Sequence, residues 1–125
     1  MMIPHSDKIT KTSNATARAL VQACREFDGN NTYGRIVRVN ARQDNEEKMF
    51  VVYSYGTHYP MYIYHEPTGT WYENHTKYSR STSKQRSQLH PLCYTKSLPT
   101  EAMQALESDG LVGLIQYMTD SRKVA

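Results

Sequence analysis

The sequence predicts an α+β fold, a three- or four-stranded antiparallel sheet with an N-terminal helix and two short C-terminal helices packed on one face. Three observations carry this. Apolar residues recur at helical spacing near both ends of the chain, between Ala15 and Phe27 and again from Leu111 to Met118. Between those stretches lie short runs rich in aromatic and β-branched residues that alternate in character. The runs are joined by the tight turns Gly56-Thr57-His58 and Glu66-Pro67-Thr68-Gly69, which favour an antiparallel meander.

At 125 residues the chain reads as a single domain, 1–125, large enough for one modest core. Residues 1–12 are polar and expected to be loose. Ser13 or Asn14 can cap a helix from about Ala15 to Phe27, because either side chain can accept from an unpaired backbone donor. Ala17, Leu20, Val21, Cys24 and Phe27 share one face of that helix. Asp28-Gly29-Asn30-Asn31 ends it, being residues that tolerate turn geometry. Arg35 to Asn40 reads as a short strand through Ile36, Val37 and Val39, and Met49 to Tyr55 as the strongest one. Tyr59 to His65 returns as a third, and Thr70 to Glu73 follows the next turn. Pro99 can occupy the first turn of a helix through Leu106, because its missing N–H would be unpaired there anyway. Gly110 interrupts it. Leu111, Leu114, Ile115 and Met118 then recur at i, i+3, i+4 and i+7, giving a last amphipathic helix.

Charge is uneven along the chain. From Met1 to Glu73 eight cations face eight acids, whereas residues 74–100 hold Lys77, Arg80, Lys84, Arg86 and Lys96 and no acid. Ser79, Ser81, Thr82, Ser83 and Ser87 fill the spaces between these cations. Guanidinium groups offer paired donors and each hydroxyl one more, which suits phosphate recognition. A solvated polar loop satisfies the same composition. There is no Gly-rich turn followed by Lys-Ser or Lys-Thr, so a nucleoside-triphosphate P-loop is excluded.

The tyrosines form a second signal, seven of the ten lying between Tyr53 and Tyr78 with the only tryptophan, Trp71. Alternation puts Tyr53 with Tyr55 on one face, and Tyr62 with Tyr64 on one face. If those faces coincide, the rings make a stacking platform for bases; if not, they are sheet cover. His58, His65, His75 and His90 match no zinc spacing, so no metal is expected. No Ser-His-Asp order or Cys-His pair can be assigned, and no catalytic residue or cofactor is expected. Cys24 and Cys93 are far apart, as in a reduced intracellular protein. The chain opens without a signal-peptide core and has no run near the ~20 apolar residues of a membrane helix. The expected compartment is the host cytosol, with no membrane partner.

The runs Tyr53-Ser54-Tyr55-Gly56, Trp71-Tyr72-Glu73-Asn74, Lys77-Tyr78-Ser79 and Ser81-Thr82-Ser83-Lys84-Gln85-Arg86-Ser87-Gln88 resemble a group of small uncharacterised phage and mobile-element proteins. The resemblance spans about residues 48–91, and the Thr-Ser-Lys stretch is its most specific part. The group implies a histidine where this chain has Gln85, so an acid–base role at that position is not carried over. It implies an origin and no activity.

The expected function is a non-enzymatic binding module for a phosphate-bearing ligand, nucleic acid first. Arg80, Lys84 and Arg86 would neutralise phosphates, Ser83 and Gln88 would add hydrogen bonds, and Tyr78 and Trp71 would stack. A protein-interaction module that inhibits a host defence factor is the alternative, since Tyr, Trp and Arg also concentrate binding energy at protein interfaces. A small metal-independent nuclease or toxin is the third reading.

Overall fold

The computed structural model describes residues 9–55, 59–76 and 80–124. Its centre is a seven-stranded mixed sheet whose strands lie side by side in chain order. They are β1 (Thr10–Lys11), β2 (Phe27–Asp28), β3 (Thr32–Val39), β4 (Glu47–Ser54), β5 (Pro60–His65), β6 (Thr70–Asn74) and β7 (Lys96–Leu98). β2 to β6 run antiparallel to their neighbours, while β1 pairs parallel to β2 and β7 parallel to β6. Each parallel pair encloses helical chain. Between β1 and β2 come a 3-10 turn, Asn14–Thr16, and α1 (Arg18–Gln22); between β6 and β7 comes α2 (Arg80–Leu89). α3 (Thr100–Val124) closes the fold.

This corrects the expected sheet of three or four antiparallel strands. β3 to β6 occupy the four predicted runs, but three strands of two or three residues extend the sheet at both margins. Strands so short carry no alternation to read. The N-terminal helix is also shorter than expected. Cys24 takes the left-handed region, φ 54°, and turns the chain out of α1, so that Phe27 enters the sheet in β2. Thr10–Lys11, within the segment expected to be loose, pairs with β2.

The helices do not share one face. α3 covers one side, packing Met103, Leu106 and Leu114 on Val51, Ile63 and Tyr72. α1 and α2 cover the other, where Val21, Phe27 and Leu89 meet Phe50, Val52 and Tyr62. The period-two pleat of β4 explains the need for both layers: Met49, Val51 and Tyr53 point one way, Phe50 and Val52 the other, and all are buried. Fully burying each such side chain stabilises the fold by ~1.5–3 kcal/mol. Gly34 lets the Phe27 ring lie against β3, since a Cβ there would stand 2.5 Å from Phe27 Cε1.

The sandwich separates the tyrosines. Tyr53 faces α3, where its hydroxyl donates to Glu107 Oε2. Tyr62 and Tyr64 face α1 and α2. The register accounts for this, since Phe50 pairs with Tyr64 and Val52 with Tyr62; beyond them a shift pairs Tyr53 with Pro60, leaving Met61 as the extra residue of a bulge. No four-tyrosine platform forms.

Within α3, Gly110 has φ 73° and ψ −158°, which divides the helix into two arms. Glu47 of β4 fits into this break. Its Oε1 accepts the Leu111 N–H at 2.9 Å and lies 2.6 Å from His65 Nε2, so a carboxylate caps the second arm. Among the described residues no helix is long and apolar enough to cross a membrane.

Candidate ligand-binding face on the polar helix

The acid-free segment, which composition allowed to be a solvated loop, folds as α2. Lys, Arg and Gln are adequate helix formers. What fixes this helix on the sheet is a polar seat. Thr82, Gln85 and Leu89, at i, i+3 and i+7, point inward and are buried, and only Leu89 is apolar. Gln85 Oε1 accepts from Ser54 Oγ at 2.5 Å and Gln85 Nε2 donates to the Asn30 carbonyl at 3.4 Å. Tyr62 OH donates to the Arg86 carbonyl at 2.8 Å, and Arg18 Nη2 donates to the Ser87 carbonyl. The bonds of Gln85 and Tyr62 satisfy groups that burial would otherwise penalise. Ser83, Lys84 and Ser87 are left on the outer surface.

That outer surface is a ridge between two clefts. One, of about 290 Å3, brings Ser83 and Arg86 together with Tyr62, Glu73, Ser87 and His90. The other, of about 360 Å3, brings Lys84 and Gln88 against Asn30, Asn31 and Tyr55. Four of the seven expected ligand residues, Ser83, Lys84, Arg86 and Gln88, therefore share one helix and its two flanks. Trp71 does not join them. It lies edge-on to Phe50 at 6.5 Å and tilted against Tyr64 at 5.1 Å, and lines neither cleft. Tyr78 lies outside the described residues, and Arg80 is described only as the first residue of α2.

Among the described residues Glu73 is the one carboxylate lining either cleft, and it is already occupied. Arg86 Nη2 donates to its Oε2 at 2.6 Å, Thr95 Oγ1 donates to its Oε1 at 2.9 Å, and His90 Nε2 stands 3.4 Å from that same oxygen. Burial pushes the Glu73 pKa up, but the hydrogen bonds from Arg86 and Thr95 and the Arg86 charge outweigh it and hold the group below the usual carboxylate range. Arg86 is thus a partner of Glu73 first. Its Nε is nevertheless buried without a hydrogen-bond partner among the described residues, as is that of Arg18.

The geometry argues against nucleophilic chemistry here. His90 Nδ1 accepts the Leu92 N–H at 2.8 Å, which leaves the proton on Nε2, toward Glu73. Neither ring nitrogen remains to activate Ser83 or Ser87. Burial pushes the Cys24 thiol up to about 11 and raises that of Cys93, so neither is an activated thiolate. Among the described residues no three His, Cys, Asp or Glu side chains are placed to hold a metal ion.

The sequence reading missed the far wall of the larger cleft. Asp28-Gly29-Asn30-Asn31 reads as a helix stop, yet its asparagines build this wall. Asn14 and Asn30 clasp each other there: Asn14 N–H donates to Asn30 Oδ1 at 3.1 Å and Asn30 N–H to Asn14 Oδ1 at 2.9 Å. The adjacent pair Asn30-Asn31 was the available signal. Compared with family models, with curated proteins and with solved structures, the chain finds no match in any of them.

Proposed function

We propose that this chain is a non-enzymatic binding protein that holds a phosphate-bearing ligand, a nucleic-acid strand, along the outer face of α2. One observation carries the reading. A ridge presenting Ser83, Lys84 and Ser87 runs between two clefts where, among the described residues, the one lining carboxylate, Glu73, is engaged by Arg86, His90 and Thr95. A phosphate approaching this ridge meets donors and a positive charge without a competing acid. The resemblance of residues 48–91 to phage and mobile-element proteins suits a small module acting in the cytosol of a host cell.

The test is fluorescence anisotropy of labelled single-stranded oligonucleotides across a salt series. Affinity is expected to fall with salt, with a log–log slope of about −0.7 per phosphate neutralised. Lys84→Glu should weaken binding to every sequence alike and flatten the slope, with circular dichroism unchanged because Lys84 is exposed. Binding that ignores salt, or an unaffected Lys84→Glu protein, would sink the proposal.

A second reading, a protein-interaction module directed at a host defence factor, is favoured by the second arm of α3. Val112, Ile115 and Met118 stand 70, 56 and 43 % exposed there, one turn apart. A stoichiometric protein partner that survives nuclease and high salt would replace the nucleic-acid reading. An eluate of nucleic acid alone would remove the alternative.

A further inference from the structure

Tyr55 holds an unexpected position. It follows the last residue of β4, and alternation from Tyr53 would send its ring toward α3. Instead the residue takes φ 57°, and it lines the cleft on the α2 side of the sheet, 51 % exposed. Asn31, across the cleft mouth, has φ 60°, and its carbonyl accepts the Tyr55 N–H at 2.8 Å. Asparagine adopts this region readily, whereas a tyrosine there is strained. Burial does not repay the strain, since half the ring remains in solvent. Strain kept on an exposed aromatic at a cleft is a signature of ligand contact.

The floor and the rim of this cleft have opposite characters. The floor is hydrogen-bonded within itself. Asn14 Oδ1 accepts from Thr32 Oγ1 at 2.6 Å as well as from the Asn30 N–H, Asn14 Nδ2 donates to the Asn30 carbonyl at 3.1 Å, and Gln85 is held by Ser54. Such a floor is rigid and shaped before any ligand arrives. On the rim, the side chains of Asn31, Tyr55, Lys84 and Gln88 make no hydrogen bond among the described residues. They offer an aromatic face, two carboxamides and an ammonium group around about 360 Å3, a volume in the range of small-ligand sites. A carboxamide presents a donor and an acceptor side by side, the pattern needed to pair with the edge of a nucleobase.

We infer that this cleft is a base-binding subsite, in which one nucleobase stacks on Tyr55, meets the carboxamides of Asn31 and Gln88 with its edge, and places its phosphate at Lys84. The inference rests on the nucleic-acid reading above and adds what that reading lacks, a requirement for the base. The same chemistry is present in a free nucleotide and in a strand.

The experiment compares a base-bearing single-stranded oligonucleotide with a sugar–phosphate oligonucleotide of the same length lacking bases, for the native chain and for Tyr55→Gly, Tyr55→Ala and Tyr55→Phe. Tyr55→Gly is the informative variant. Glycine accepts φ 57° freely, so the fold keeps or gains stability while the ring is lost. The native chain is expected to prefer the base-bearing strand by about 5- to 150-fold, the range for stacking one base on an aromatic side chain. Tyr55→Gly and Tyr55→Ala should abolish that preference, Tyr55→Phe should keep it, and the salt slope should stay the same in all four proteins. Competition by a free nucleoside monophosphate would extend the site to mononucleotides; its failure alongside an intact base preference would assign the site to strands. If the native chain binds both oligonucleotides equally, or Tyr55→Gly retains the preference, the subsite falls while the strand reading stands. If no oligonucleotide binds, both fall.

Discussion

At the residue scale, the side chains that hold α2 also decide how it responds to acid. Glu73 and Arg86 are mostly enclosed, with side-chain exposures of 14 and 22 %. Removing one member of such a pair leaves the other desolvated and uncompensated. Arg86→Met is expected to destabilise the protein by about 2–3 kcal/mol near neutral pH, toward the low end for an enclosed pair. The sign with pH follows from the depressed Glu73 pKa. A carboxyl group held below its ordinary 4.5 contributes stability above that value and loses it as pH falls through the folded value. The gap between native chain and Arg86→Met in urea titrations should therefore close in that acid window; a gap constant with pH would disprove the assignment. Glu107 works in the opposite direction. Burial raises its pKa more than the Tyr53 hydroxyl lowers it, so its contribution is full below 4.5 and fades as pH rises through the folded value. That Ser83, Lys84, Arg86 and Gln88 lie close together follows from their nearness in the sequence. The engagement of Arg86 does not, because Glu73 reaches it across the sheet from β6.

At the scale of elements, legibility followed the source of stability. β3 to β6 are built from β-branched and aromatic residues in alternation, and that pattern is local to each run. α2 escapes such a reading because its inward face is Thr82, Gln85 and Leu89, which scores as solvent-exposed chain until Ser54 and Asn30 are placed beneath it. α1 fails for another reason: its apolar spacing continues past the point where Cys24 turns the backbone. The join within α3 was legible, since glycine is the residue that accepts φ 73°. That join is also tightly occupied. A Cβ on Gly110 would stand 2.1 Å from Glu47 Oε2, and Glu47 cannot easily swing aside while His65 and the Leu111 N–H hold it. Gly110→Ala is expected to lower stability by about 2 kcal/mol or more, combining the ~1–3 kcal/mol cost of a side chain in this essentially glycine-only backbone region with the collision. Equilibrium denaturation measures it, and a loss below about 0.5 kcal/mol would show that the join relaxes, in the range of an ordinary surface change.

At the scale of the whole molecule, the order of strands along the sheet is the order along the chain, so each strand finds its neighbour across a short connection or a single helix. What no local pattern announced was that both margins finish in parallel pairs. Those margins matter for a property that neither the core nor the ligand face determines. Met49-Phe50-Val51-Val52-Tyr53 is uncharged, β-prone and free of proline, the composition of a segment that stacks with copies of itself. In the fold it lies in β4, far from a margin. The strands that do lie outermost, Thr10–Lys11 and Lys96–Leu98, are too short to template a neighbouring chain, and each carries a lysine. Replacing Lys11 and Lys96 together by valine is expected to leave the melting temperature within a few degrees and to shorten the lag before turbidity and thioflavin fluorescence develop on warming; an unchanged lag would deny the lysines this role. The two outermost strands of the sheet would then be what keeps the protein soluble at high concentration, acting as gatekeepers for a core that would otherwise recruit its own copies.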